Sequence, residues 1–66
     1  MIREARIRYV KKMASGSTVY GMIIDELDVN YMLDAFKSMG VEVISVETRE
    51  RDMHTWMPDE WGWERR

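Results

Sequence analysis

The sequence predicts an α+β fold, in which a three-stranded sheet with the chain order β-β-α-β carries one helix on one face and is followed by a tryptophan-rich C-terminal tail. Three observations predict it: two strand-like runs around a cluster of turn formers, one amphipathic helical stretch, and three tryptophans that all lie after residue 55. A chain of 66 residues is one domain near the lower size limit for a self-sufficient core. We divide it into a ββαβ domain at 1–50 and a tail at 51–66.

The first strand is predicted from alternation. Ala5, Ile7 and Tyr9 alternate with Arg6 and Arg8, which is typical of a half-buried strand. A helical face also fits part of this stretch, but its aromatic and β-branched residues favour a strand. The turn formers at 14–17 then predict a hairpin.

The second strand, at 18–25, is apolar at both its even and its odd positions. One face holds Tyr20, Met22 and Ile24, and the other holds Val19 and Ile23. Such a strand requires cover on both sides, and one helix supplies only one. The second face is therefore left to the tail, to a second copy of the chain, or to a target. A glycine inside this strand, Gly21, predicts a bulge or the close approach of another backbone.

The helix is predicted between Asp28 as N-cap and Gly40 as the terminating glycine. Its apolar stripe consists of Val29, Met32, Leu33, Phe36 and Met39. The alternating run at 41–48 then predicts the third strand, which the intervening helix makes parallel to the second.

Two sheet orders, 1-2-3 and 2-1-3, satisfy this connection. The order 2-1-3 sets Glu42 and Glu47 beside the basic first strand with Arg6, Arg8 and Lys12. Opposite charges stabilise neighbouring strands, so charge favours 2-1-3.

Catalytic, cofactor and metal sites are not predicted. The chain has no cysteine, which rules out disulfides and thiolate chemistry and is typical of the reducing cytoplasm. Its charged first residues and the lack of a long apolar run predict a cytoplasmic protein without a membrane segment. The single histidine, His54, has no nucleophile motif near it. Oxygen ligands at Asp52, Asp59 and Glu60 could join His54 around a divalent ion, but a solvated histidine explains the same residues.

A protein partner, including a second copy in a homodimer, is predicted from the aromatic residues and from charge. Tryptophan is over-represented in binding hot spots. The predicted interface comprises Tyr20, Met22, Ile24, Trp56, Trp61 and Trp63. Residues 17–50 hold seven acidic against two basic residues, which predicts an acidic face toward a basic partner. This face comprises Asp25, Glu26, Asp28, Asp34, Glu42 and Glu47.

The predicted function is binding without catalysis, and no family motif is visible. By analogy, a compact cysteine-free chain of this size is typical of the inhibitors that phages and mobile elements direct against host nucleic-acid-processing complexes, including anti-CRISPR proteins. The alternative is a small nucleic-acid-binding or transcription-regulating protein. In that case Arg6, Arg8 and Lys12 of the first strand would contact phosphates.

Overall fold

The computed structural model describes all 66 residues as one mixed α and β unit. Its elements are β1 (Ile2–Met13), β2 (Gly16–Asp25), a single 3-10 turn (Glu26–Asp28), α1 (Val29–Met39), β3 (Glu42–Arg51) and β4 (Glu64–Arg65). The strands form one antiparallel sheet in the order β2-β1-β3-β4. The predicted fold class is confirmed, and the two-residue β4 is an addition that the sequence did not predict. The only helix is too short and too polar to cross a membrane.

The predicted order 2-1-3 of the first three strands is confirmed, and the predicted charge pairing contributes to it. Arg6 of β1 lies opposite Glu47 of β3, and its Nη2 is 2.9 Å from Glu47 Oε1. Glu42 lies instead opposite Val10 and makes no ion pair. Of the two glutamates predicted to pair with β1, only Glu47 does so, while Arg3–Glu50 and Glu4–Arg49 are further ion pairs between β1 and β3.

The bulge predicted at Gly21 is wrong. Gly21 pairs with Arg8 in an uninterrupted register, and no atom of the chain lies within 4 Å of the position that its Cβ would take. The register shift lies instead between Arg8 and Tyr9, in the pairing of β1 with β3. Glycine in a strand often accompanies a bulge, but here it occupies a regular position.

The hairpin of β1 and β2 is joined by the predicted turn and extends beyond the helix. Met13 pairs with Gly16, so residues 14–15 make the connection. All residues from 11 to 21 are exposed, and the molecule measures 42 Å along its longest axis. The end of the hairpin therefore protrudes from the packed part of the domain.

The helix begins and ends where the sequence predicted. Gly40 has a φ of 72°, and its left-handed conformation lets the Val41 N–H bond to the Phe36 carbonyl at 2.9 Å. Asp28 is the N-cap residue but makes no side-chain bond to the helix. The preceding Asp25 caps the 3-10 turn instead, because its carboxylate accepts the Leu27 N–H at 3.0 Å.

The apolar core is small and lies between α1 and the centre of β1. Its fully buried members are Ala5, Ile7, Val29 and Phe36. The Phe36 ring lies 4.7 Å from the Tyr9 ring, which links the helix to β1. Met39, at the end of the predicted stripe, is exposed. The helix thus covers one face of the sheet and leaves the opposite face to other residues.

Candidate functional site

Where β1 and β3 pair, the face of the sheet opposite the helix is built from charged side chains rather than apolar ones. Arginines and glutamates of β1 and β3 alternate across it in a connected set, which we call the charge cluster. It consists of Glu4, Arg6, Glu47, Arg49 and Arg51. Glu4 accepts hydrogen bonds from Arg49 Nε at 3.0 Å and from Arg51 Nε at 3.1 Å, so one carboxylate joins two guanidinium groups.

Arg49 is the centre of this cluster and holds the tail to the sheet. Its side chain is only 3% exposed. Besides Glu4, it donates to the carbonyl oxygens of Pro58 at 2.9 Å and Trp61 at 3.0 Å. A buried guanidinium needs such partners, and here the returning tail supplies two of them.

Trp63 completes this packing from above the cluster. The guanidinium carbon of Arg49 lies 4.4 Å from the Trp63 ring centroid, and that of Arg6 lies 4.8 Å away. Both distances fall within the range of cation–π contacts. Beyond Trp63, β4 pairs with residues 47–48 of β3, and the Arg66 N–H bonds to the Val46 carbonyl. This part of the tail therefore folds back on its own sheet.

The electrostatics of the cluster act on Glu4. Burial would raise the pKa of the Glu4 carboxyl, but the hydrogen bonds from Arg51 and Arg49 outweigh it and hold this pKa below its ordinary value of 4.5. A lowered pKa means that the ionised carboxylate stabilises the fold above pH 4.5, and that this contribution is lost as the pH falls through the folded-state pKa.

We therefore expect a pH-dependent difference in stability between the wild type and Glu4→Gln. The free energy of unfolding should be lower for Glu4→Gln at pH 7, because the amide carries no charge for the two arginines, and the gap should shrink as the pH falls below 4.5. Urea unfolding at a series of pH values measures it. The control is Glu60→Gln, since Glu60 is exposed and makes no ion pair. A gap independent of pH would contradict the assignment.

Two other tryptophans are left outside this packing and lie beside a shallow hollow. Trp56 is 84% exposed, and Trp61 is exposed as well. Together with Met1 and Met57 they line a hollow of about 330 Å³. Met1 also lines the adjoining hollow, whose wall includes Leu27, which is 90% exposed. We call Met1, Leu27, Trp56, Met57 and Trp61 the tryptophan patch.

Acidic residues outnumber basic ones around the tryptophan patch. The two hollows include the carboxylates of Asp25, Glu26, Glu50 and Asp52, and the guanidinium groups of Arg3 and Arg51. Both arginines are paired within the chain, Arg3 with Glu26 and Glu50, and Arg51 with Glu4. Hydrogen bonds from Arg3 to its two carboxylates raise the pKa of the Arg3 guanidinium. The rim of the patch is thus acidic.

The structure separates the residues of the predicted protein interface. Tyr20 stacks on Tyr9 at 5.8 Å, on the helix side of the sheet, where Met22 and Ile24 are half-buried. Trp56 and Trp61 lie together in the tryptophan patch, while Trp63 lies on the charge cluster. The interface role of these residues stays a prediction.

The six residues of the predicted acidic face do not lie together. Asp25, Glu26 and Asp28 share the segment that leads into α1. Glu47 is part of the charge cluster, Asp34 lies on the exposed side of α1, and Glu42 lies at the far end of β3 from the patch. Of the six, only Asp25 and Glu26 line a hollow of the tryptophan patch.

The residues predicted to contact nucleic acid differ in their exposure and in the ion pairs that they already make within the chain. Arg6 is bound to Glu47 beneath Trp63. Arg8 is half-exposed, with its Nε 3.8 Å from the same carboxylate. Lys12 is exposed and unpaired near the end of the hairpin. The strand therefore offers Arg8 and Lys12, with Lys11 beside them.

The residues considered for a metal site do not form one. No three histidine, aspartate or glutamate side chains come together at a spacing suited to an ion. His54 is exposed, and its backbone N–H bonds to Asp52 Oδ1 at 2.9 Å.

Sequence reasoning missed three members of the charge cluster, Glu4, Arg49 and Arg51, and three members of the tryptophan patch. Arg49 was read as part of a charged link, although the period-two alternation of the third strand continues through Glu47, Arg49 and Arg51 and could have placed it on the open face. For Met1, Leu27 and Met57 the sequence carries no comparable signal. In comparisons with family models, with curated proteins and with solved structures, no family, protein or structure matches this chain.

Proposed function

We propose that this chain is a small non-enzymatic protein-binding module that docks a basic partner on the tryptophan patch. The observation that carries the proposal is the exposure of Trp56 beside Trp61 on an apolar hollow, in a chain that uses Trp63 for its own packing. Exposed tryptophans grouped with other apolar side chains are typical of binding surfaces.

The acidic rim supports a basic partner. Arg3 is paired with Glu26 and Glu50, and Arg51 with Glu4, so Asp25 and Asp52 are the rim carboxylates left without a cation for an approaching basic surface. Proteins that handle nucleic acids carry such basic surfaces. By analogy with other small cysteine-free inhibitors, the specific form of the proposal is an inhibitor or regulator, encoded by a phage or mobile element, that acts in the cytoplasm on a host nucleic-acid-processing complex, in the manner of anti-CRISPR proteins.

The proposal is tested with the double variant Trp56→Ala/Trp61→Ala. Tagged wild type and variant are used to recover partners from the native cell, and the affinity for the recovered partner is then measured with purified components. We expect the double variant to bind at least about 30-fold more weakly, because loss of a hot-spot residue costs about 2 kcal/mol or more.

The matched control is Met39→Ala, which removes an exposed apolar side chain from the last turn of α1, where it lines a different hollow. It should bind the partner as the wild type does, and circular dichroism should show all three proteins folded. Equal binding by the double variant would contradict the proposal.

The alternative function, nucleic-acid binding, rests on Arg8, Lys11 and Lys12 along the protruding hairpin. It predicts retention on heparin or DNA that weakens steeply with salt and is lost in Arg8→Ala/Lys12→Ala. The proposed acidic module would not be retained.

A further inference from the structure

One edge of the sheet is open along its whole length. β2 pairs with β1 on one side and has no strand on the other, whereas β3 is partly covered by β4. In an antiparallel sheet, alternate residues of an edge strand point their N–H and C=O groups outward. The ten residues of β2 therefore present a row of free backbone donors and acceptors.

This edge lacks the features that normally prevent strand pairing. Residues 16–24 contain no charged side chain and no proline, and the register with β1 runs without a bulge. Edge strands of monomeric proteins usually carry a lysine, a proline or a bulge for this purpose. Val19 and Ile23 are also 61% and 42% exposed on the face away from the helix.

We propose that a second copy of this chain pairs with β2 in antiparallel orientation about a two-fold axis at Gly21, which joins the two sheets into one. This inference does not depend on the proposed function, because it rests on the open edge of β2 rather than on the tryptophan patch, which it adjoins where Ile23 and Trp56 line a common hollow. It gives the predicted homodimer a defined interface that does not involve exchange of the tail.

The register follows from the faces of the strand. A two-fold axis at Gly21 sets Val19 opposite Ile23 of the second copy, so the two exposed apolar residues pack against each other on one face. On the other face, Tyr20 lies opposite Met22, and both helices stay on the same side of the joined sheet. At the axis, the edge beside Gly21 has no strand of the chain next to it, and the face of the sheet at Gly21 is open, since no atom lies within 4 Å of its Cβ position.

Charge complementarity favours a second copy in this orientation. Lys12 lies opposite Ser17 within the hairpin. In the proposed register, Ser17 lies opposite Asp25 of the second copy. Lys12, Ser17 and this Asp25 then form one row across three neighbouring strands, and Asp25 is two strand spacings, or about 10 Å, from Lys12. The long lysine side chain reaches over the small serine toward this carboxylate, and the two-fold axis repeats the contact. A parallel pairing would instead bring the two Asp25 residues together.

The first test is disulfide crosslinking of the full chain, which contains no cysteine of its own. In the proposed register the Cα atoms of the two Gly21 residues lie about 4.5–5.5 Å apart, within disulfide range, so Gly21→Cys should form a covalent dimer under mild oxidation. Val19→Cys is the control, because the Cα atoms of residue 19 in the two copies would lie about 13 Å apart, beyond disulfide range.

Mixing Val19→Cys with Ile23→Cys should restore rapid crosslinking, now between the two variants. If Val19→Cys crosslinks with itself as fast as Gly21→Cys, the register is wrong. If no variant crosslinks faster than a free thiol at Met39→Cys, the β2 pairing itself is overturned.

The second test is sedimentation equilibrium as a function of concentration. One added strand pair buries less than the roughly 800 Å² per partner of a standard interface, so we expect a dimer in the micromolar range. Val19→Lys should weaken it at least about tenfold, because the charge faces an apolar residue twice per dimer. Met39→Lys, an exposed apolar residue in the last turn of α1, should leave it unchanged. A wild type that stays monomeric up to about millimolar concentration, or a dimer insensitive to Val19→Lys, would overturn the proposal.

Discussion

Arg49→Ala is expected to lower the free energy of unfolding by about 3 kcal/mol or more, which is a large share of the stability of so small a domain. The substitution removes one of the two cations that pair with Glu4 and leaves the carbonyl oxygens of Pro58 and Trp61 without their donor. It also removes a guanidinium group from beneath Trp63. We therefore expect the tail to detach and the whole domain to weaken.

Urea unfolding followed by tryptophan fluorescence and by circular dichroism measures both effects. Arg49→Lys should be intermediate, because lysine keeps the charge but lacks the planar fork that reaches several acceptors. Arg8→Ala is the matched control, since Arg8 is a half-exposed arginine on the same face, and it should cost less than about 1 kcal/mol. If Arg49→Ala were no worse than Arg8→Ala, the central role of Arg49 would be refuted.

Phe36→Ala is expected to destabilise the protein by about 3–5 kcal/mol. Phe36 is one of only four buried apolar residues, and its ring packs on Tyr9 at 4.7 Å. Truncation leaves a cavity that neighbouring side chains fill only in part. Because alanine is the better helix former, the loss reports packing rather than helix propensity.

Chemical denaturation should show this loss with helix and tail signals falling together, since the helix covers the sheet on which the tail rests. Tyr31→Ala removes an exposed ring from the same helix and should change stability by less than about 0.5 kcal/mol. An equal effect of the two substitutions would contradict the assignment of Phe36 to the core.

Local patterns predicted the elements and their order. The stripe from Val29 to Phe36 and the glycine at 40 suffice for the helix, because capping and periodicity act within a few residues. Pairing of Arg6 with Glu47 correctly favoured β1 at the centre, because that register brings opposite charges together.

Features that depend on distant contacts were not predictable. The apolar pattern of the second strand predicts cover on both faces, but the strand forms the open edge of the sheet, and residue type does not distinguish its exposed Val19 and Ile23 from core residues. Arg49 lies in a charged stretch that is typical of a solvated link. It is buried only because residues 58–61 fold back onto it and accept its hydrogen bonds. The path of residues 58–61 back to Arg49 also decides which tryptophan packs on the sheet and which two stay exposed, and no local sequence pattern encodes that path.

The central position of β1 also has a kinetic consequence. β2 follows it through a two-residue connection, whereas Ile2 meets Arg51 only after nearly the whole chain has been laid down. Closing the longer loop costs more chain entropy than closing the hairpin, and nonlocal strand pairing is slow. We therefore expect the pairing of β3 with β1 to limit the folding rate. Until β3 pairs, both edges of the β1–β2 hairpin carry backbone donors and acceptors without partners, rather than one edge.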